Sequence, residues 1–272
     1  MRTAIFFAEL LIGTALGSGL WAAPVGAVEH GTRSCDASQW HDDHLRTIAE
    51  PRQQTIAQAS LDRIEASPNG SIVVHGTSRS DVQVSACIHA SAPTEDEARQ
   101  IASQVKIVRG PGEIMPDGPR GDHDRHWSVS YEVWLPSHSS LHVDTVNGSI
   151  KIEQVQGEIK VSNVNGGLNL AGLGGEVRAS TVNGGISVDL SGAKWDGPGL
   201  QVSTTNGGIR FNVPSNYAAN VEASTVNGGV HCDFPISLQG SIGKHVSFQL
   251  GGGGPEIRTS TVNGGIRFSR GA

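Results

Sequence analysis

The stretch from residue 145 to residue 189 reads TVNGSIKIE QVQGEIKVS NVNGGLNLA GLGGEVRAS TVNGGISVD, five consecutive units of nine residues that align without gaps. If the first residue of each unit has offset zero, apolar residues occupy offsets one, five and seven, and glycine occupies offset three in every unit. Self-similarity at a fixed period indicates a repeat architecture, in which units stack because none can bury its apolar side chains alone.

Asparagine occupies offset two in every second unit, so the longer step of the pattern is eighteen residues. The Asn-Gly pair returns later after steps of 23, 21 and 36 residues. Because 36 is twice eighteen, we expect one further coil whose corner has degenerated between Phe234 and Gly254. Stacked asparagine amides can hydrogen-bond along a column. The predicted corner ladder comprises Asn147, Gly148, Asn165, Gly166, Asn183, Gly184, Asn206, Gly207, Asn227, Gly228, Asn263 and Gly264.

Two architectures are compatible with this repeat. Asn-Gly between apolar runs is typical of hairpins, which predicts an antiparallel meander. Side chains alternate along a strand, however, and the apolar residue after offset seven comes three positions later, so a straight meander would split its apolar set between two faces. A chain that turns at each corner points offsets one, five and seven inward. We therefore predict an all-β fold, a parallel β-solenoid (β-helix) of about 18-residue coils, with one short α-helix in the N-terminal part.

The same geometry makes a prediction about the threonines of the repeat. If offset one faces inward, offsets zero and two face outward, and the outward threonines are Thr145, Thr181, Thr225 and Thr261. They are explained either by corner chemistry and strand propensity or by a binding role. In the second interpretation they form a flat polar array that binds a repetitive surface such as glycan or ice.

The chain divides into four predicted parts: a signal peptide (residues 1–27), a polar, irregular leader (28–60), a β/α part that caps the solenoid (61–135) and the Asn-Gly-Gly repeat (136–272). In the third part, Thr94 precedes a segment with carboxylates in its first turn, which favours a helix start. The loop predicted at residues 109–124 is rich in Gly, Pro and Asp.

The first residues are typical of a signal peptide. Arg2 supplies a positive charge, residues 5–20 are largely apolar, and small residues precede a cleavage site near Ala27. A membrane anchor is the alternative, but the apolar run is short and interrupted by Glu9. We therefore expect a periplasmic or extracellular protein without an integral membrane segment after cleavage.

Three cysteines are present, and an oxidising compartment allows one pair to form a disulfide. Cys35 and Cys87 are the predicted pair, because Cys232 belongs to the distant repeat region. The net charge of −6 and the lack of a basic cluster exclude the electrostatic pattern of a nucleic-acid binder.

With the repeats aligned, residues 61–268 resemble the bacterial DUF4097 family of adhesin-like β-repeat proteins. The resemblance implies a secreted or envelope-associated domain without an established catalytic activity, and it defines no binding residue. It rests on the Asn-Gly-Gly series and on the segments Pro68-Asn69-Gly70-Ser71-Ile72, 95–105, Val129-Ser130-Tyr131-Glu132-Val133, Trp195-Asp196-Gly197-Pro198-Gly199-Leu200, Val213-Pro214 and Tyr217-Ala218-Ala219.

Few residues are candidates for chemistry. The clusters at residues 41–44 and 122–126 contain histidine and aspartate, but their spacing matches no established zinc motif, and no nucleophile elbow occurs. The carboxylates of the repeat lie at scattered offsets without repeated pairing: Glu153, Glu158, Glu176 and Asp189. We predict no catalytic residue, metal site or cofactor.

The predicted function is that of an exported, non-enzymatic binding or structural module of the bacterial cell envelope, whose partner is an envelope component, either glycan or protein. Two alternatives stay open: a carbohydrate-active enzyme on a β-helix scaffold, and a glycan or ice binder that uses the threonine array. An enzyme would need carboxylates that converge in a cleft.

Overall fold

The computed structural model describes residues 35–36, 44–56, 61–110, 112–234, 237–239 and 244–271, so the predicted signal peptide lies outside the described residues. The helix is α1 (Glu95–Gln104). The strands are β1 (Arg46–Ile56), β2 (Arg63–Glu65), β3 (Ile72–Thr77), β4 (Val82–Ala92), β5 (Lys106–Gly110), β6 (Glu113–Asp117), β7 (His126–Pro136), β8 (Leu141–Asn147), β9 (Ile150–Glu153), β10 (Gln156–Asn165), β11 (Leu168–Ala171), β12 (Gly174–Asn183), β13 (Ile186–Asp189), β14 (Gly199–Asn206), β15 (Ile209–Val213), β16 (Ala219–Asn227), β17 (Val230–Cys232), β18 (Ser237–Gln239), β19 (His245–Leu250), β20 (Glu256–Asn263) and β21 (Ile266–Arg270).

These strands form two sheets, whose buried side chains belong to one continuous apolar core. Sheet 1 has ten strands in the order β1-β4-β7-β3-β9-β11-β13-β15-β21-β17. Sheet 2 has eleven, in the order β18-β19-β16-β20-β14-β12-β10-β8-β2-β6-β5. The prediction of an all-β fold with parallel strands and one short helix is confirmed.

The repeated element is a rung, defined here as a strand of sheet 2, an Asn-Gly corner and the strand of sheet 1 that follows it. Adjacent rungs pair in parallel on both sheets, with the asparagines in register: Asn147 lies opposite Asn165, and Asn165 opposite Asn183. The antiparallel meander is therefore wrong for this region. In the described part of the chain the rungs follow one another in space as β2/β3, β8/β9, β10/β11, β12/β13, β14/β15, β20/β21 and β16/β17.

The order of the strands in space departs from their order in sequence at both ends of the stack. Rung β20/β21, the last along the chain, lies between β14/β15 and β16/β17 and pairs in parallel with both. Rung β2/β3 lies between β8/β9 and the pair β6 and β7. Both rungs thus have hydrogen-bonded neighbours on each side.

The expectation of a degenerate coil between Phe234 and Gly254 is wrong. The chain instead forms β18 and β19, which pair with each other in antiparallel fashion, and β19 also runs antiparallel to β16. Gly251 and Gly253 have φ angles of 54° and 76°, which glycine adopts without a steric penalty, and they turn the chain toward β20. Because β19 pairs with β16, the outermost rung, β16/β17, has no open edge on sheet 2.

The N-terminal part holds more strand than the sequence predicted. Residues 46–56, expected to be irregular, form β1, which pairs with β4 over its whole length. The predicted loop contains β6, which pairs with β2 and β5. These short or polar strands give weak sequence signals because their pairing partners, and not their own apolar content, order them. As predicted, Thr94 caps α1, and its Oγ1 accepts a hydrogen bond from the Glu97 amide at 3.3 Å.

Offsets five and seven face the core as predicted, and three phenylalanine rings meet near one end of the stack. Phe268 in β21 is fully buried and stacks on Phe211 of the neighbouring strand, with ring centroids 4.6 Å apart. The Phe248 ring, from β19 in sheet 2, meets Phe268 edge-on at 5.3 Å. Phe268 therefore connects the rung β20/β21 to β15 in sheet 1 and to β19 in sheet 2. Among the described residues, no helix is long and apolar enough to cross a membrane.

We expect Phe268→Ala to lower the free energy of unfolding by about 3–5 kcal/mol, since it removes a buried ring and leaves a cavity between the two sheets. Chemical denaturation followed by circular dichroism would measure the change. The control is Ser269→Ala on the same strand, which should change stability by less than about 0.5 kcal/mol. Equal effects of the two substitutions would contradict the packing described for Phe268.

Candidate functional site: the asparagine-glycine corner

The asparagines of the rungs form one hydrogen-bonded column. Six side-chain Nδ2 groups each donate to the Oδ1 of an adjacent asparagine over 2.7–2.9 Å. All asparagines of the column except the half-buried Asn69 are exposed, so the ladder lies on the surface of the corner. The order along the column is Asn69, Asn147, Asn165, Asn183, Asn206, Asn263 and Asn227.

The threonines at offset zero face the core, so the predicted outward array is wrong. Each Oγ1 donates a hydrogen bond of 2.9–3.0 Å to the carbonyl of a corner glycine on an adjacent rung. A buried hydroxyl requires such a partner, and the bond secures the corner. The residues concerned are Thr145, Thr181, Thr225 and Thr261, each at most 4% exposed.

The valines at offset one of the Asn corners face outward, against the prediction. A strand such as β10 runs without a bend through the end of one unit into the next, so side-chain alternation carries from Val161 inward to Val164 outward. The chain turns only after Asn165. At the opposite corner the turn comes earlier, at Gln154 with φ 58°, and there Val155 is buried as predicted.

These outward side chains form a column beside the asparagines, which we call the valine column: Val146, Val164, Val182, Thr205, Val262 and Val226, in spatial order. Among the residues whose side chains are described, five large apolar ones are exposed, and four of them belong to this column, at 38–50% exposure. Apolar groups that repeat along one surface are typical of an interaction site.

The first glycine of each corner is required by the fold. At Gly184 a Cβ atom would lie 2.0 Å from the carbonyl oxygen of Gly166, and at Gly166 it would lie 2.0 Å from that of Gly148. This carbonyl oxygen belongs to the backbone of the adjacent rung, which cannot move without breaking the hydrogen bonds between the parallel strands. Close approach of backbones thus explains why offset three is glycine at each Asn corner.

The second glycine of the corner is not required in this way. At Gly185 and Gly208 a Cβ atom would meet a neighbouring carbonyl oxygen at 3.4 and 3.3 Å, and at Gly229 it would meet nothing within 4 Å. Ser71 and Ser149 occupy the same position in the first two rungs, so a side chain fits there. The column of second glycines is Gly167, Gly185, Gly208, Gly265 and Gly229, in spatial order.

A shallow groove of about 570 Å³ runs over these second glycines. Its floor is backbone, and one side is formed by outward residues of sheet 1: Asn169, Ser187, Arg210, Arg267 and His231. The groove therefore crosses the strands and follows the stack, parallel to the asparagine ladder.

The groove becomes basic toward the last rungs. Arg210 lies opposite Arg267 in the register of β15 and β21, and Arg267 lies opposite His231. His231 Nε2 is 3.0 Å from the Asp233 carboxylate, and Arg267 Nη1 is 3.7 Å from it. Within the described residues no ion pair involves Arg210, so two like charges are adjacent with one carboxylate nearby.

The prediction that the carboxylates of the repeat lack repeated pairing is wrong for the outer face of sheet 2. Glutamates pair with a base two residues onward, over 2.6–2.8 Å, in Glu158–Lys160, Glu176–Arg178 and Glu256–Arg258. The Lys160 ammonium, as hydrogen-bond donor and as a charge, lowers the pKa of Glu158. The Glu-x-Lys/Arg spacing was visible in the sequence, since residues two apart share one face of a strand.

Two other carboxylates converge on His75. Its Nε2 lies 3.1 Å from Glu132 Oε1 and its Nδ1 3.3 Å from Glu153 Oε2, while Lys151 Nζ is 2.7 Å from the other oxygen of Glu153. The imidazole stacks on Trp134 at 5.5 Å. Both carboxylates therefore contact the imidazole, and Glu153 also forms an ion pair with Lys151.

The remaining predicted positions lie apart from the corner. Residues 41–43 are outside the described part of the chain, and no cluster of three metal-capable side chains occurs within it. Cys35 and Cys87 form a disulfide that ties residue 35 to β4. The thiol of Cys232 is free, and burial raises its pKa.

A family model described as Toastrack DUF4097 matches residues 69–268, which is well over half of the chain. The chain belongs to the Toastrack DUF4097 family. The resemblance seen in the sequence is thereby confirmed. The matched region of this Toastrack protein includes all asparagines of the ladder. A comparison with curated proteins finds no match.

Solved structures that resemble this Toastrack protein do so at low identity. A candidate cell adhesion protein from Clostridium sporogenes is 11% identical, with a TM-score of 0.44 over 81% of this chain and 100% of its own. A candidate adhesin from Bacteroides fragilis is 10% identical, with a TM-score of 0.40 over 84% and 98%. A candidate lipid-binding protein from Parabacteroides distasonis is 11% identical, with a TM-score of 0.30 over 81% and 97%. These likenesses carry no argument about function.

We expect Gly184→Ala and Gly185→Ala to differ sharply, although the two residues are adjacent. The first places a methyl group against backbone and should lower the free energy of unfolding by more than about 3 kcal/mol. The second places it in ordinary contact, and the change should stay within about 1 kcal/mol. Urea denaturation of both variants measures the difference. Similar losses would show that the second glycine is also a structural requirement.

Proposed function

We propose that this protein is an exported, non-enzymatic β-solenoid that serves as an adhesin-like binding or structural module of the bacterial cell envelope. The rungs are its coils, with a basic repeat of eighteen residues. The part at 61–135 caps one end of the repeat at 136–272, after a leader at 28–60 and a signal peptide at 1–27.

The parallel register supports the solenoid. Asparagines eighteen residues apart lie opposite one another, and from β8 to β15 the chain passes from sheet 2 through a corner to sheet 1 and back in each coil. Longer steps, such as the 23 residues between Asn183 and Asn206, keep the same register because the extra residues lie between strands. A stack of this kind presents each outward position as a straight row, one side chain for each coil.

The observation that carries the binding role is the valine column. Burying such side chains against a partner gains about 1.5 kcal/mol or more for each fully covered valine. Their exposure gives the fold itself nothing, whereas the threonines beside them are buried and hydrogen-bonded. The column runs along the stack, which suits an extended or repetitive partner, either glycan or protein.

The charged groups support a non-enzymatic role. Three of the four carboxylates singled out in the repeat form ion pairs with neighbouring basic side chains, in Glu153–Lys151, Glu158–Lys160 and Glu176–Arg178, and Asp189 accepts a hydrogen bond from Asn212. General acid-base chemistry instead needs carboxylates that face a substrate. Export is supported by the signal-like segment and by the Cys35–Cys87 disulfide, which persists in oxidising compartments.

Export predicts that the mature protein lacks its first residues. Expression of the full chain in a bacterial host, followed by intact-mass analysis of periplasmic and cytoplasmic fractions, should give a periplasmic species that begins near residue 28. A matched variant with Leu10→Arg and Leu11→Arg should stay uncleaved in the cytoplasm, because charges disrupt the apolar segment. Full-length protein in the cytoplasm from both genes would contradict export.

The valine column predicts the behaviour of a fourfold variant, Val164→Thr, Val182→Thr, Val262→Thr and Val226→Thr. Threonine is native at the equivalent Thr205, so the variant should fold normally. Capture of envelope components on immobilised protein should fall about tenfold or more, since each 1.4 kcal/mol of lost contact is tenfold in affinity. Quantitative mass spectrometry of the captured material measures it.

The matched control is Val108→Thr, because Val108 is also exposed but lies outside the column. Its capture should equal that of the native protein. If the fourfold variant keeps full capture, the valine column is not the binding surface and the proposal fails.

A further inference from the structure

The groove over the second glycines has a property that the fold does not explain. A side chain fits at this position, as the Cβ distances at Gly185 and Gly265, the open space at Gly229 and the serines of the first two rungs show. Five successive rungs nonetheless have glycine there. The second glycines lie between the strands of a rung, and their φ angles are not positive, so the corner does not require glycine there. Glycine costs conformational entropy on folding, and its repetition leaves space free above the backbone.

The side chains beside that space are arranged at a cost to the fold. Arg210 and Arg267 are stacked on adjacent strands and both are exposed, which places two guanidinium groups next to each other. Like charges directly opposite in a sheet are destabilising. Asp233 approaches Arg267 and His231, and Arg210 has no ion pair in the described part of the chain. An anionic ligand in the groove would relieve this repulsion.

The direction of the groove selects the class of ligand. An extended peptide adds to a free sheet edge through main-chain hydrogen bonds, but this groove crosses strands whose backbone groups are already paired. Proteins that bind single-stranded nucleic acid stack its bases on aromatic side chains, and no Phe, Tyr or Trp is among the residues that line the groove. A linear polysaccharide can lie flat on the glycine floor, and its carboxylates match the planar guanidinium fork.

We infer that the groove over Gly185, Gly208 and Gly265 binds a linear acidic polysaccharide, with uronate carboxylates bound by Arg210 and Arg267. Rungs are about 4.7–4.9 Å apart, so the two guanidinium groups can contact charges on one extended chain. This inference deepens the proposed binding function and rests on it, but it uses a surface distinct from the valine column.

The test uses the mature full chain and an oligogalacturonate of about ten sugar units as the probe, with isothermal titration calorimetry at low salt. Binding should be weakened at least tenfold by Arg210→Gln with Arg267→Gln, while the midpoint of thermal unfolding stays the same or rises because the repulsion is gone. Gly208→Thr with Gly265→Thr should also weaken binding at least tenfold by filling the floor.

The matched control is Lys160→Gln with Arg178→Gln, which removes the same charge from the outer face of sheet 2 and should leave binding unchanged. The fully methyl-esterified oligogalacturonate, which lacks the charges, should not bind. An equal loss in the control variant, equal binding of the ester, or tighter binding of an oligothymidylate would each overturn the inference.

The arginine variants remain informative if the threonine variants fail to fold. Envelope capture by these arginine variants separates the two proposals. If the native protein captures envelope components but does not bind the oligogalacturonate, the polysaccharide inference alone is refuted. If the fourfold valine variant captures envelope components as well as the native protein does, and the Arg210 and Arg267 variants do not, the valine column is refuted as the binding surface and the groove is supported.

Discussion

The close approach of backbones at the first corner glycine is the constraint on which the rest of the structure depends. The Gly166 carbonyl lies where a Cβ of Gly184 would be, so adjacent rungs can stack in register only if this position has no side chain. Once the corners stack, their asparagine amides are brought within hydrogen-bond distance, and the threonine hydroxyls reach the glycine carbonyls. The corner thus sets the register for both sheets at once.

Stacking in register turns every position of the repeat into a row on the surface. A globular fold scatters its exposed residues, but here the valines, the second glycines and the glutamate-base pairs each recur from rung to rung. The inward residues at offsets five and seven are buried in the core, so the outward rows are free to serve binding. The exposed valines and the adjacent arginines are features that the fold tolerates and does not need.

The first and last rungs along the chain are placed so that the stack has few open edges. The first and last rungs of the sequence each lie inside the stack, with a paired strand on either side. On sheet 2, β19 follows the outermost rung in antiparallel fashion and continues the sheet beyond it. Edge strands are prone to unwanted pairing, and on sheet 2 this arrangement keeps the rungs away from that position, whereas on sheet 1 the three-residue strand β17 of the outermost rung forms the edge of the described sheet.

The sequence by itself determined the period, the corner glycines, the asparagine column, the helix cap at Thr94 and the parallel sense of the strands, because these follow from local sterics and side-chain alternation. Only the tertiary structure decided which face the valines and threonines take. If the bend of the chain moves by one residue, the side chains beside it that face outward face inward instead, and the reverse. The tertiary structure also decided the order of the rungs. All rungs pair in the same register, so the repeat pattern in the sequence does not specify which rung lies next to which. The groove followed in turn, since its floor and its arginines come from strands that are distant in sequence, β15 and β21.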